Sequence, residues 1–537
     1  MLLKSGLSIL ILHVFFAPSY SKHPNKPNIV FIMADDMGFQ DVGFRGSDII
    51  TPNLDSLARE GVVLENHYVM PMCSPTRASF LSGRYAIRTG FWKGNIGPDE
   101  AWGLRLNETT IPDMLQRNGY ETHGVGKWHA GMYTKQHTPA KRGFDSFFGL
   151  YLGSQHYFTH RRSGNMDLRS AHLDADGKLV DEMRYDLDGQ YNTHLFTEKA
   201  VDIISDHDPN KPLFLYLSYT APHGPLEAPP EDIERFTEHM QYSSKNRKTY
   251  ATQISLMDEG IGQVVDALKE TGLMKNTLLV FSSDNGAVFK NATGSNFPLR
   301  GGKMALFDGG VKALTFVNSP LLTQTGYVNT NLHHVTDWFA TFRKLARDDP
   351  DRQKPDLPID GVNIWPSISN NRACRDEILV NMRDESKVND AHKPEFRAVK
   401  RSAFETECDA VQHEDDKLKD YFVLRWKNWK LFNGTFIFPG WTDENNLPHR
   451  HSVDEVPAAK SDKITGTLLF NLDEDPREER DVAYTNPEIV QFLLSKMPSY
   501  REKMTMINRR RPYKESGAGG EWNPWIRVPE MKKKFVE

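Results

Sequence analysis

Cys73 opens the run Cys73-Ser74-Pro75-Thr76-Arg77, where the order of residue types could do chemistry. Pro75 suits the first turn of a helix, which would put residue 73 beside an N-terminus whose free N–H groups favour an anion. Arg77 then falls one turn further on, where a guanidinium can hold oxygen atoms in a fixed fork. The chain has 3 cysteines, the others being Cys374 and Cys408. That is too few for a disulfide framework. Cys374 and Cys408 could pair across one loop, leaving Cys73 over, and an odd thiol in an exported chain calls for a reactive or modified role. A buried structural cysteine ahead of an ordinary helix is the competing reading.

The elements around it organise more chemistry. Four apolar, β-rich runs each end in a polar cluster. Asn28 to Met33 leads into Asp35-Asp36, and Tyr120 to Val125 into Gly126-Lys127-Trp128-His129. Leu213 to Leu217 leads to Pro222-His223, and Leu278 to Phe281 to Asp284-Asn285. Short continuous apolar runs fit strands buried on both faces, as in a parallel sheet covered by helices. The segments between them read as helices. Thr51-Pro52 supplies a cap and first position, with Gly61 as the stop. Thr110 to Asn118 stops at Gly119, and Tyr250 to Glu270 carries Ile254, Met257, Ile261, Val265 and Leu268 at helical spacing. This alternation predicts an α/β fold with a large mixed, mostly parallel sheet flanked by helices. Such sheets bind ligands beyond the carboxyl ends of their strands. One polar cluster there would mean little, because turns are polar anyway. Four on one edge predict a site.

After about residue 372 the pattern changes. Glu377 to Met382, Tyr421 to Lys427 and Trp429 to Phe432 read as antiparallel strands, with a turn at Lys427-Asn428. Gly466 to Leu472 reads as another strand, and Pro487 to Lys503 as one terminal helix. The expected organisation is a signal peptide over 1–21, a catalytic domain over 22–372 and a smaller α+β domain with an antiparallel sheet over 373–537. The basic runs Arg509-Arg510-Arg511 and Lys532-Lys533-Lys534 read as a solvated, loose end.

Lys4, the short apolar run Leu7 to Pro18 and Ser19-Tyr20-Ser21 fit a cleaved export signal, and no later segment reads as a membrane span. Three sequons, at Asn107, Asn291 and Asn433, agree with a secretory route. The 66 basic and 71 acidic residues leave a net charge of only -5, so no global field recruits nucleic acid or an anionic membrane. Recognition of an anion must come from local groups.

Cys73 to Arg77, continued by Ala78-Ser79-Phe80-Leu81-Ser82-Gly83-Arg84, resembles the signature of the formylglycine-dependent sulfatase family. The resemblance implies an alkaline-phosphatase-like fold and oxidation of Cys73 to formylglycine by a generating enzyme acting on the unfolded chain. Asp35-Asp36 and Asp284-Asn285 resemble the family's two metal-binding pairs, with residue 73 facing the same ion. An isolated pair of this kind reads as a turn or cap. Paired across one sheet edge, three carboxylates and an amide oxygen are hard ligands suited to one calcium, or magnesium. Lys127, His129, His223 and Lys303 match sulfate-site positions, and Ser154 is a further candidate contact. The implied roles are charge neutralisation by Lys127 and Lys303, proton removal by His129, and general acid chemistry by His223 with Lys303.

Arg142 to Asp145, Met257 to Gly262 and Leu469 to Asp473 extend the likeness over nearly the whole chain. Phe297 to Lys303 and Leu152-Gly153-Ser154 resemble arylsulfatase B, the N-acetylgalactosamine-4-sulfatase. The expected substrates are therefore sulfated glycosaminoglycans carrying that unit, other sulfate esters and artificial aryl sulfates, in a lysosomal or extracellular setting. Two features depart from the family. Asp308-Gly309-Gly310-Val311-Lys312 stands where Glu-Gly-Gly-x-Arg is usual, and the cysteines are too few for the lysosomal disulfide set. A related metal-dependent phosphoesterase and a catalytically silent sulfated-glycan-binding glycoprotein are the competing functions. Oligomeric state is left open.

Overall fold

The computed structural model describes residues 26–241, 243–288, 293–349, 356–389, 420–438, 462–508 and 520–524. The expected signal segment, Asn291, Cys408 and both basic runs of the tail lie outside the described residues, so the Cys374–Cys408 pairing is untested.

The four apolar runs form four adjacent strands. Thr277–Ser283, Asn28–Ala34, Leu213–Ser218 and Glu121–Lys127 pair in that order, all parallel. They are the centre of a ten-stranded sheet that runs, in spatial order, 327–334, 62–68, 315–318, 277–283, 28–34, 213–218, 121–127, 146–150, 169–173 and 179–183. Antiparallel pairing enters on both sides of this centre, through 315–318 and through 169–173. Every residue of Asn28–Ala34 is buried. Its alternate side chains feed two cores, Val30 and Ile32 on one face, Ile29, Phe31 and Met33 on the other. Burial on both faces explains why the sequence shows a continuous apolar run and not an alternation.

The helices follow the expected pattern with two physical corrections. The helix Pro52–Glu60 is not capped by the Thr51 side chain. The Asp258 carboxylate, on the long helix Lys245–Glu270, instead accepts from the Asn53 and Leu54 amides at 3.1 and 2.7 Å. The predicted terminal helix is two helices, Pro487–Leu494 and Met497–Lys503. Pro498 has no N–H to give and restricts the residue before it, which breaks the first helix and suits the start of the second. Ile111–Gln116 begins as expected, with a capping box between Thr110 and Asp113.

Four strands of the C-terminal part, Glu377–Arg383, Tyr421–Trp426, Trp429–Phe438 and Asp462–Asn471, make an antiparallel sheet in sequence order. It packs on the first part through Phe307, which stacks on Phe432 at 4.6 Å. No helix among the described residues is long and apolar enough to cross a membrane.

Candidate active site

The four central strands end together, and their polar clusters meet there. Backbone pairing carries past the strand ends, with Asp284 N donating to Ala34 O and Asp35 N to Ala221 O, both at 3.0 Å. This sets Asp35-Asp36, Asp284-Asn285, Lys127 and His223 around one point, and Asp35, Asp284 and Asn285 are wholly buried.

Cys73 is the first residue of the helix Cys73–Ser82, all of whose residues are buried. Its Sγ lies 3.3 Å from Asp35 Oδ1 and 3.9 Å from Asp36 Oδ1. Arg77, one turn on, donates from Nη2 and Nε to Asp284 Oδ2 at 2.9 and 3.2 Å, and from Nη1 to Lys127 O at 3.1 Å. Its Nη1 also donates to Ser218 and Tyr216. Lys127 Nζ donates to Asp35 Oδ2 at 2.6 Å and Lys303 Nζ to Asp36 Oδ2 at 2.7 Å. His223 Nε2 stands 3.6 Å from the same Asp36 oxygen. Donor atoms of Asp35, Asp36, Cys73 and His223 all lie within 4.8 Å of one another.

The fit to a hard cation rests on an orphaned atom. Asn285 Nδ2 donates to Asp36 Oδ1 at 2.7 Å, yet its Oδ1 is buried with no hydrogen-bond partner among the described residues. A buried unpaired amide oxygen costs roughly 1–3 kcal/mol. Beside three carboxylates it has the donor chemistry of a calcium or magnesium ligand. Three cations, Arg77, Lys127 and Lys303, already balance the three carboxylates. A divalent ion would leave the site net positive and free the two lysines for an anion.

The electrostatics follow from burial and neighbours. Burial raises the Asp35 carboxyl to about 7 against the pull of Lys127, while Asp36 is held below the usual carboxylate range by Lys303 and His223 despite its burial. Burial, with Asp284 next, pushes the Cys73 thiol well up, so an unmodified Cys73 would stay a protonated, weak nucleophile. Burial and then Lys303 bring His223 down to about 3, and burial and Lys127 take His129 well below its ordinary value.

Both imidazoles are therefore neutral, and carbonyl partners assign their tautomers. His129 Nε2 donates to Ile96 O at 3.1 Å, leaving Nδ1 as a buried lone pair with no partner among the described residues. His223 Nδ1 donates to Gly224 O at 2.6 Å, which puts its lone pair on Nε2, toward Asp36. Asp36, His129 and Met304, next to Lys303, all hold positive φ, at 65°, 51° and 74°. Such strain in non-glycine residues clusters at functional sites.

Ser154 is placed differently. Its Oγ accepts from Arg162, and no bond joins it to the acidic cluster among the described contacts. The turn that carries it nevertheless touches the site, since a Cβ at Gly153 would sit 2.5 Å from His129 Cε1. Of the sequons, Asn107 is exposed, while Asn433 lies within a strand and accepts from Thr467 Oγ1 at 2.9 Å.

Sequence reasoning missed the residues that aim the others. Asn95 Oδ1 accepts from Ser74 N at 2.9 Å, and Ile96 N donates to Ser74 Oγ at 3.2 Å. Together with the His129–Ile96 bond this ties His129 to the start of the Cys73 helix. Tyr216 and Ser218, which hold Arg77, are hidden in a run that reads as plain strand. Asp308, flagged only as a departure, lies outside the acidic cluster. It accepts from Tyr68 OH at 2.9 Å and Lys430 Nζ at 2.7 Å, and so joins the Lys303 loop to the C-terminal sheet.

With this geometry in view, a sequence model of the sulfatase family matches residues 27–348. Arylsulfatase J of Mus musculus is 38% identical over 524 residues, covering 95% of this chain and 82% of that one. N-acetylgalactosamine-6-sulfatase of Homo sapiens is 32% identical over 363 residues, 65% of this chain and 67% of that one. Among solved structures, Ps i-CgsB in complex with k-i-k-neocarrahexaose superposes with a TM-score of 0.68 at 28% identity, covering 90% of this chain and 94% of that one. A phosphonate monoester hydrolase from Silicibacter pomeroyi shares the fold at a TM-score of 0.56 and 18% identity.

Proposed function

This chain belongs to the sulfatase family, and from that premise we propose that it hydrolyses sulfate esters of glycans through a formylglycine made from Cys73 and one bound calcium ion. The observation that carries the reading is the unpaired Asn285 Oδ1 beside Asp35, Asp36 and Asp284, with the first residue of a helix 3.3 Å from Asp35. Asp35, Asp36, Asp284, Asn285 and residue 73 would hold the cation, which supplies Lewis-acid charge neutralisation. Formylglycine at residue 73 would, when hydrated, supply two hydroxyls, one to displace the alcohol from sulfur and one to release sulfate by C–O cleavage with return of the aldehyde.

The remaining work falls to this chain's side chains. Lys127 and Lys303 turn from their carboxylates to the sulfate oxygens and neutralise charge there, the term that usually dominates such catalysis. His129 offers Nδ1 as the base for the second hydroxyl. His223 presents a lone pair on Nε2, so in this general-acid pair Lys303 gives the proton to the leaving oxygen and His223 stands beside it as an acceptor. Arg77 fixes Asp284 and the strand ends and keeps positive charge beside residue 73. Ser154, held by Arg162 on the turn that packs against His129, is the further substrate contact.

The finer assignments rest on likeness. N-acetylgalactosamine 4-sulfate units remain our first substrate, with the 6-sulfate unit named by one relative as the immediate competitor. We place the protein in the secretory pathway, lysosomal or extracellular, processed by a formylglycine-generating enzyme and glycosylated first at exposed Asn107. Its catalytic domain would end near residue 372, where the antiparallel strands begin.

Mass analysis of the tryptic peptide containing residue 73 tests the central claim. Secreted protein should carry an aldehyde or its hydrate there and cleave an aryl sulfate far faster than the matched aryl phosphate. Active protein with only unmodified cysteine, or a preference for phosphate, would overturn it.

A further inference from the structure

Residues 520–524, far along the chain from the strand ends, lie against the hairpin 161–166, where Met166 bridges Glu521. Trp522 is buried, at 6% exposure. Its amide donates to Met166 O at 3.0 Å and its indole Nε1 to Arg162 O at 2.9 Å. The Arg162 guanidinium in turn donates to Ser154 Oγ. A second route starts at the Trp522 carbonyl, which accepts from buried Arg169. Arg169 pairs with Asp167 at 3.4 Å and lies 4.1 Å from the centre of the Tyr151 ring. Asp167 accepts from the Tyr151 and Leu152 amides at 3.2 and 2.9 Å. The next residue is Gly153, against the His129 ring. Both routes begin at Trp522 and end on the 152–154 turn. The outer edge of the segment is fastened separately, by Tyr185 OH donating to Glu521 Oε1 at 2.6 Å.

The same turn carries an unsatisfied polar group. Gln155 is 2% exposed, and neither end of its amide has a hydrogen-bond partner among the described residues. A buried amide left open at both ends is tolerated where water or a ligand completes it.

We propose that residues 520–524 are a strap that positions the substrate wall, with Trp522 as the positioning residue that sets both Arg162–Ser154 and the turn packed on His129. This rests on the proposed reading in which Ser154 and His129 face the sulfate ester. The strap touches no reacting atom. It holds the turn against the His129 ring, and it couples the far end of the chain to substrate binding.

Trp522→Phe keeps most of the ring and deletes the Nε1–H bond to Arg162. In the full-length protein it should raise KM for an aryl sulfate about tenfold while kcat stays within about threefold, the signature of a displaced binding wall. Trp522→Ala should go further in the same direction. Tyr500→Phe, which removes a bond to Glu377 in the C-terminal part, serves as comparator and should lower the melting temperature with KM unchanged. Should the Trp522 variants fail to fold, Arg169→Lys reads the second route, with the same rise in KM expected. Hydrogen exchange gives a readout independent of turnover. The Tyr151 and Leu152 amides should exchange at least about tenfold faster in Trp522→Ala than in wild type. Wild-type KM in Trp522→Phe, or a loss confined to kcat, overturns the strap, as does unchanged exchange at those amides. A wild-type protein inactive on every sulfate ester would instead count against the function, with the exchange data still deciding the strap.

Discussion

Asn285 shows how much a single atom can say. Its Nδ2 is satisfied and its Oδ1 is not, inside a wholly buried group of acids. If that oxygen is completed by a cation, ion binding must stabilise the fold by mass action, by about 2.7 kcal/mol at a hundred times the dissociation constant. Chelator should therefore lower the wild-type melting temperature, and added calcium should restore it. Asn285→Ala should need about tenfold more calcium for half the effect. A wild-type melting curve indifferent to chelator and calcium alike would refute a resident cation. These residues were legible in the sequence because each follows an apolar run, where strand ends deliver side chains to a common edge. Asn95 and Ile96, which tie Ser74 to His129, were not legible, since nothing local distinguishes an asparagine in a loop from one that caps a helix lying elsewhere.

At the scale of elements, the loop bearing Lys303 depends on the second sheet. Arg300 Nη1 donates to Glu478 O at 2.6 Å, and Asp308 N to Glu478 Oε2 at 2.7 Å. Lys430, wholly buried on the strand Trp429–Phe438, bridges Asp308 at 2.7 Å and Glu478 at 2.8 Å. The Asp308 backbone belongs to a turn that also constrains the Asp284-Asn285 strand end, for a Cβ at Gly286 would stand 1.7 Å from Gly309 O. Removing one partner of a buried ionic group leaves uncompensated charge and costs roughly 3–5 kcal/mol. Lys430→Met should therefore lower the unfolding free energy read from urea denaturation by that much and weaken turnover through Lys303, although Lys430 lies on the other sheet. A variant as stable as wild type would show that the two carboxyls manage without it. The strands that make this tie could be read from their own periodicity. The tie itself could not, because its partners lie 122 and 170 residues apart and a buried Lys looks like any other Lys in sequence. The same blindness hid Asp258 as the cap of a helix that begins at Pro52.

The whole molecule carries two opposed sets of buried titrating groups outside the site, and together they predict its response to acid. Burial holds His137 and His333 down to about 3, His67 and His334 well below the ordinary value, and lowers His123 and His160 as well. A lowered imidazole contributes stability that is whole above about 6.5 and is lost as pH falls toward its folded value. Burial raises Glu478 to about 7, Asp167 and Asp258 to about 6, and Asp337 above its ordinary value. A raised carboxyl has the reverse sign, its stabilisation being complete below the unfolded value near 4 and lost as pH climbs through the folded one. Each group contributes up to about 1.4 kcal/mol per pH unit. Between roughly 6.5 and 4.5 the carboxyls gain part of what the six imidazoles lose, so the melting temperature should fall only gently. Below about 4 the carboxyls are spent, while the imidazoles go on losing and carboxylates held low by cations, such as Asp308 beside Lys430, begin to lose as well. Stability should then fall steeply. Calorimetry from pH 7.5 to 3 in the presence of calcium would read this directly, a gentle slope and then a collapse. A decline as steep just below 6.5 as it is below 4 would mean the histidines act unopposed, and would argue for the neutral extracellular space over an acidic compartment as the setting in which this fold works.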